Sequence, residues 1–137
     1  MRVDGLTISI KAGAAVAAHR IVQYDGSGGA IQATGPTDPS FGVSDLGADS
    51  GAALDVRMGG IAPVDYGGAV SAGDPLTSDA DGKAIAATPH THTENTAGAY
   101  AQDATTDGAS TVRIIGYAVV DGEDGDIGSV HLTPGQA

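Results

Sequence analysis

Apolar and polar residues alternate through Leu6-Thr7-Ile8-Ser9-Ile10, and this period of two places Leu6, Ile8 and Ile10 on one face of a half-buried strand. The alanines between Ala12 and Tyr24 invite a helical reading. Gly13 and the β-branched Val16, Ile21 and Val22 favour a second strand instead. Asp25-Gly26-Ser27-Gly28-Gly29 turns the chain, and residues 30–34 return as a short strand. Gly35-Pro36-Thr37-Asp38-Pro39-Ser40 breaks that strand, because proline lacks an amide donor and restricts the residue before it. Phe41-Gly42-Val43 begins another extended piece. From Leu54 onward, short apolar runs at residues 54–58, 61–64 and 69–70 alternate with the turn residues Gly59-Gly60 and Asp65-Tyr66-Gly67-Gly68, the rhythm of a barrel or sandwich. The Asp81-Gly82 pair can supply the positive φ angles of a tight hairpin, with Leu76-Thr77 and residues 83–87 as its arms. Residues 112–120, with Ile114, Ile115, Tyr117 and Val119, form the strongest apolar segment and read as a central strand. Asp121-Gly122-Glu123-Asp124-Gly125-Asp126 turns the chain, and residues 127–132 close it ahead of Pro134-Gly135. No fixed-period repeat of the kind that builds a solenoid or propeller is visible.

One stretch departs from this rhythm. Residues 88–109, TPHTHTENTAGAYAQDATTDGA, are polar and nearly free of large aliphatics, so they read as a long loop that adds little to a core. The length of 137 residues suits a single domain, divided here into an extended N-terminal segment, residues 1–24, and a β-rich body, residues 25–137. Its core must be thin, since the 41% hydrophobic share holds 24 Ala against 27 Leu, Ile, Val and Met, with five aromatics. A small apolar payload leaves a monomer marginal, which makes an oligomer or a docking surface a source of further stability. The acids are 15 Asp and 2 Glu beside 22 Gly, a choice that suits turns rather than helix interiors.

The absence of cysteine excludes disulfides, thiolate nucleophiles and cysteine-based zinc sites. The start of the chain lacks a basic residue cluster followed by an apolar run, and no long apolar run occurs elsewhere, so neither a secretion signal nor a membrane span is expected. A formal charge of −11 argues against nucleic acid as a partner. The charge is uneven: Arg2, Lys11 and Arg20 face only Asp4 in residues 1–24, so this leading segment suits docking onto an acidic surface.

Candidate chemistry is sparse. His90-Thr91-His92, with Glu94 nearby, could bring two imidazoles to one ion on an extended strand, but His19 and His131 are not placed to complete the set. Asp121, Glu123, Asp124 and Asp126 offer oxygen ligands, yet their spacing fails the EF-hand pattern and suits a hairpin turn. Gly26-Ser27-Gly28-Gly29 lacks the ending of a P-loop, and no GxSxG occurs. Four Tyr and one Phe make no evident stacking platform. No enzymatic activity and no cofactor are expected; a metal-dependent enzyme using His90 and His92 would require activity lost on His→Ala changes.

The stretch from Phe41 to Ala87, FGVSDLGADSGAALDVRMGGIAPVDYGGAVSAGDPLTSDADGKAIAA, resembles the capsid decoration, or cement, proteins of tailed double-stranded DNA bacteriophages. Ile115-Gly116-Tyr117-Ala118, Gly125-Asp126-Ile127-Gly128-Ser129-Val130 and Leu132-Thr133-Pro134-Gly135 are similar to the closing strands of that family. The resemblance implies a mainly β, single-domain barrel-like fold often described as a β-tulip. It also implies a homotrimer that binds the major capsid protein on the outside of the expanded head, adds late in assembly in the host cytoplasm, and resists DNA pressure. Leu6, Ile8, Ile10, Lys11 and Arg20 are the expected capsid-facing residues, the first three as an added strand edge. The rival reading is a tail or fibre-associated module, or a carbohydrate-binding one.

Overall fold

The computed structural model describes residues 5–87 and 112–136, and among these it contains ten strands and no helix. The fold is mainly β, as the Asp/Gly punctuation requires. The first five strands are β1 (Thr7–Ala12), β2 (Ile21–Tyr24), β3 (Gly29–Gln32), β4 (Ser40–Ser44) and β5 (Ala53–Arg57). They close a barrel in the order β1-β3-β2-β4-β5, with β5 returning to pair with β1. Every pairing is antiparallel except β1 with β3, which meet in parallel at Lys11↔Gly29 and Ala12↔Ala30.

The second five are β6 (Ile61–Asp65), β7 (Pro75–Ser78), β8 (Ala84–Ala86), β9 (Arg113–Ala118) and β10 (Ile127–Gln136), in the order β6-β10-β9-β7-β8. A parallel bridge from Tyr66 to Ala84 joins the two ends. With β6 in the place of β1, this is the same circuit, its parallel contact reduced to the pair Tyr66↔Ala84, the counterpart of Ala12↔Ala30. The hydrogen bonds repeat as well. Gly13 N–H donates to Ala30 O at 2.9 Å, and Gly67 N–H to Ala84 O at 2.8 Å. His19 N–H reaches Ser44 O, and Gly73 N–H reaches Ala118 O. The reciprocal Val16–Ala48 bridge recurs as Val70–Gly122.

The displacement is constant at 54 residues through the first three strands (67 − 13) and 74 through the last two (122 − 48). The second unit therefore holds twenty extra residues (74 − 54) between its third and fourth strands, where the polar stretch 88–109 lies. The chain is a tandem duplication, which the absence of a visible repeat in the sequence did not suggest. Gly13, Val16, Asp25, Gly28, Ala30 and Ile31 recur as Gly67, Val70, Asp79, Gly82, Ala84 and Ile85, and Gly42 and Gly51 as Gly116 and Gly125.

Each unit has its own core, and the cores match position for position: Val16, Val22, Ala30, Phe41 and Val56 correspond to Val70, Leu76, Ala84, Ile115 and Val130. One pair trades sizes. The first unit places Ala12 beside a buried Leu54, whereas the second places Tyr66 where Ala12 stands and Gly128 where Leu54 stands. A Cβ on Gly128 would overlap the Tyr66 ring. The ring thus fills the volume that leucine fills in the other unit. The Tyr66 hydroxyl donates to Val120 O at 2.8 Å, which satisfies a polar group in a fully buried side chain.

The units are fused along one joint. Ile21, Ala33 and Val43 on the outside of the first barrel pack into the core of the second. Around them Ile21 N–H donates to Gly82 O (2.7 Å), Asp65 N–H to His19 O (2.9 Å), and the Gln32 amide to Asp81 O (2.7 Å).

Several local expectations change. Between Ala12 and Tyr24 only Ile21–Tyr24 is a strand, and the chain before it bends through His19 at φ 61. The hairpin between β7 and β8 has a longer loop in which Asp79 Oδ1 accepts the N–H groups of Asp81 and Lys83, and Gly82 alone of the Asp81-Gly82 pair takes a positive φ. Strand β10 runs through Pro134 to Gln136, with a register shift between Leu132 and Gly135. Strands β1 and β2 are barrel staves, since β1 pairs with β5 from Thr7 to Lys11 and β2 lies between β3 and β4.

Candidate binding surface

Strand β1 carries four of the five residues picked out by the sequence, counting Leu6 at its threshold. The register with β5 sets their directions. Met58 N–H donates to Leu6 O at 2.7 Å, and Ala12 N–H to Ala52 O at 2.9 Å, so the even-numbered residues 6, 8, 10 and 12 bond to β5. The N–H and C=O groups of Thr7 and Ser9 then point the opposite way, where β3 pairs only with Lys11 and Ala12. Among the described residues nothing pairs with this two-residue edge. Ile8 and Ile10 are half-buried against the first core, while Leu6 is 62% exposed at the end of the edge. Ser9 Oγ donates to Asp55 Oδ1 at 2.6 Å on the outer face.

The duplicated position is built differently. In β6 the counterparts of Thr7 and Ser9 are Ile61 and Pro63, and proline has no N–H to offer an incoming strand. The second unit's edge is blunted where the first unit's is open.

Arg20 does not project outward. Its Nε lies 2.9 Å from Asp65 Oδ2 and its Nη1 donates to Asp81 O at 2.9 Å, so it laces the two units together. Arg57, with Asp45 at 3.2 Å, is buried. Lys11 is exposed.

Asp25 Oδ1 accepts the Ser27 N–H at 2.6 Å and the Gly29 N–H at 2.9 Å, and these bonds hold its carboxyl below the usual carboxylate range. Burial raises the Tyr66 hydroxyl above the ordinary tyrosine value.

Further apolar side chains stand exposed at Leu46 (65%), Ile127 (61%) and Tyr117 (44%). The sequence placed Ile127 and Tyr117 in strands without revealing that their faces turn outward.

His90 and His92 lie outside the described residues. Among the described residues no group of three or more His, Cys, Asp or Glu could hold a metal ion. The acidic turn is tied to backbone: Asp121 Oδ1 accepts the Ala72 N–H at 2.7 Å and Asp126 Oδ2 the Glu123 N–H at 2.9 Å. A shallow open groove runs past Val16, Arg20, Gln32 and Ala48, but Arg20 and Gln32 are already engaged in the joint.

The chain matches the family model for phage cement protein over residues 2–116. No curated protein matches it. Among solved structures it is similar to the head fiber gp8.5 N base of bacteriophage phi29, at 22% identity with a TM-score of 0.62 and 93% of each chain covered. At that identity the likeness is one of fold. Taken over nearly the whole chain, the family match means that this protein belongs to the phage cement proteins.

Proposed function

We propose that the protein is made in the host cytoplasm and decorates the outer surface of a phage head, where it binds the major capsid protein as a homotrimer and braces the shell against packaged DNA. The family match carries this reading, because that family is one of structural phage proteins. The charge of −11 supports it, since such a body stays in solution and away from the DNA within. Many copies on one lattice let weak contacts hold collectively.

The capsid-facing strip is Leu6 with the open edge at Thr7 and Ser9, to which an extended segment of the shell adds as a strand. Ile8 and Ile10 support the strip from the core side, and Arg20 acts indirectly by fixing the joint. Removing residues 1–12 would remove a barrel strand, so a gentler change is needed. Ser9→Pro deletes one open N–H at the position where the second unit already carries Pro63. Wild type is expected to sediment with empty expanded heads and Ser9→Pro to remain in the supernatant, with Ser9→Ala controlling for the lost Ser9 Oγ–Asp55 bond and its small cost in stability. Equal binding by both would refute the edge.

A second reading has one observation in its favour, the likeness to the base of a head fibre. In that case the protein would anchor a further fibre component, and decorated heads would bind that component only when this protein is present.

A further inference from the structure

One end of the first barrel is floored by apolar side chains that the rest of the fold does not cover. The registers bring the start of β1, the end of β2, the start of β4 and the end of β5 to this end, beside Thr7 and Ser9. Ile8, Ile10 and Met58 pack half-buried against the core cluster that holds Phe41. The Tyr24 ring stacks on Phe41 with centroids 4.0 Å apart and planes 9° from parallel, yet Tyr24 remains 49% exposed. Leu6, also exposed, stands at the same end. Four scattered Tyr and one Phe gave no sign of this pair in the sequence.

The second barrel shows how such an end is finished. The positions of Ile8, Ile10, Tyr24, Phe41 and Met58 are held there by Ala62, Val64, Ser78, Ile115 and Leu132, every one of them buried. Ile21, Ala33 and Val43 of the first unit join the same cluster and close it. Residues 19–21 lie between β6 and the β7–β8 turn, with His19 O accepting Asp65 N–H and Ile21 N–H donating to Gly82 O, and so deliver an aliphatic side chain to the barrel end. Among the described residues nothing covers Tyr24 and Leu6 in this way. In the first unit Lys11 is already paired with Gly29, so those two bonds have no copy, and the unpaired groups lie further along β1 at Thr7 and Ser9. The first barrel has bulkier side chains at this end, Ile8 for Ala62 and Tyr24 for Ser78, which narrow the opening but leave apolar surface facing out.

We propose that this barrel end is the seat for one aliphatic side chain of the shell segment that adds along Thr7 and Ser9, held against the Tyr24 ring and Leu6. The inference rests on the reading of the protein as a head-decorating one and names the residue type that the shell must supply. In an added strand the residue opposite Ile8 points to the same face as Ile8, toward the barrel end. An aliphatic residue there removes its own surface and that of Tyr24 and Leu6 from water. A charged residue would lose its water against an apolar floor. The edge offers hydrogen bonds that any sequence can make, and the floor supplies the choice between sequences.

The test compares wild type, Ser9→Pro, Leu6→Ser, Tyr24→Ser and Tyr24→Phe in sedimentation with empty expanded heads, with an unfolding midpoint for each. Nitration of the wild-type tyrosines by tetranitromethane is mapped by mass spectrometry, free and on heads. Leu6→Ser and Tyr24→Ser are expected to bind at least tenfold more weakly, and Tyr24→Phe, which keeps the ring, to bind as wild type does. Leu6→Ser alters an exposed side chain, so it reports on the seat even where Tyr24→Ser loses stability. Tyr24 is expected to nitrate readily in the free chain and at least tenfold more slowly on heads. Serine variants that bind as tightly as wild type, with Ser9→Pro unbound, would overturn the seat and leave the edge standing. A Tyr24 ring already slow to nitrate in the free chain would show this end filled by the chain itself or by a second copy, and would overturn the proposal too. A wild type that fails to sediment with heads would overturn the head-decorating reading along with it.

Discussion

Exchanging Tyr66 and Gly128 for Ala and Leu would rewrite the second core in the terms of the first, where Ala12 and Leu54 occupy the same two positions. Tyr66→Ala alone removes a fully buried ring and costs about 3–5 kcal/mol, before counting the Val120 carbonyl that loses its donor. Gly128→Leu alone drives a side chain into the space of that ring, and overpacking of this kind costs about 1–3 kcal/mol. Were the two effects independent, the double variant would lose about 4–8 kcal/mol, much of the stability of a domain held by about 5–15 kcal/mol. The duplication implies otherwise, because leucine would enter the void that alanine leaves. The double variant should be more stable than Tyr66→Ala, with a favourable coupling of about 2–3 kcal/mol, the upper range for residues in contact. Urea unfolding of the four proteins gives the cycle, and Tyr66→Phe separates the hydroxyl at about 1 kcal/mol. Additive losses would show that the size exchange is a coincidence of sequence rather than a compensated packing solution.

Other consequences can be measured with the same unfolding assay. Arg20→Ala removes a largely buried ion pair and a bond to Asp81 O, and should cost about 1–2 kcal/mol; a cycle with Asp65→Ala, showing coupling, would assign the loss to the joint. The Asp25 carboxyl is held below 3.8 by its backbone donors, so the stability that it gives is complete above that value and is lost as pH falls through its lower folded value. Asp25→Ala should therefore flatten the acid limb of the curve of unfolding midpoint against pH, and an identical acid limb would refute the assignment. Gly116→Ala sets a Cβ against the His131 carbonyl, which as backbone cannot swing aside, and should cost about 1–3 kcal/mol with hydrogen exchange rising first along β9 and β10.

The phase of each strand was legible because a period of two survives even in short runs: Leu54 and Val56 face inward, as do Ala62 and Val64. Mostly β structure was legible from the Asp-and-Gly corners. The bend before Ile21 was not, since alanines fit helix, strand and turn alike and His19 takes a left-handed φ that no residue near it announces. The duplication stayed hidden for a related reason. The residues that recur are largely Gly, Ala and Asp, the commonest in the chain, and the extra residues in the second unit break the period. On the candidate surface the alternation correctly paired Ile8 with Ile10 on one face, but whether that face looks into a barrel depends on closure by β5. The open edge at Thr7 and Ser9 depends on where β3 joins β1, and the partner of Arg20 lies in the other unit, neither of which a local pattern encodes.

The two units differ in the length of one connection, and an engineer can use the difference. In the first unit the six residues 34–39 are tied down, with Asp38 Oδ2 accepting the Thr34 N–H at 2.7 Å and Pro36 O accepting the Arg113 N–H at 2.8 Å. A foreign peptide spliced there would have to break both bonds. The corresponding connection after Ala87 has already taken in its surplus length, while the flanking bond from Ala87 N–H to Pro75 O remains the twin of that from Ala33 N–H to Ile21 O. Antigens or reporter enzymes should be grafted into the second connection, whose length already exceeds that of the first by twenty residues.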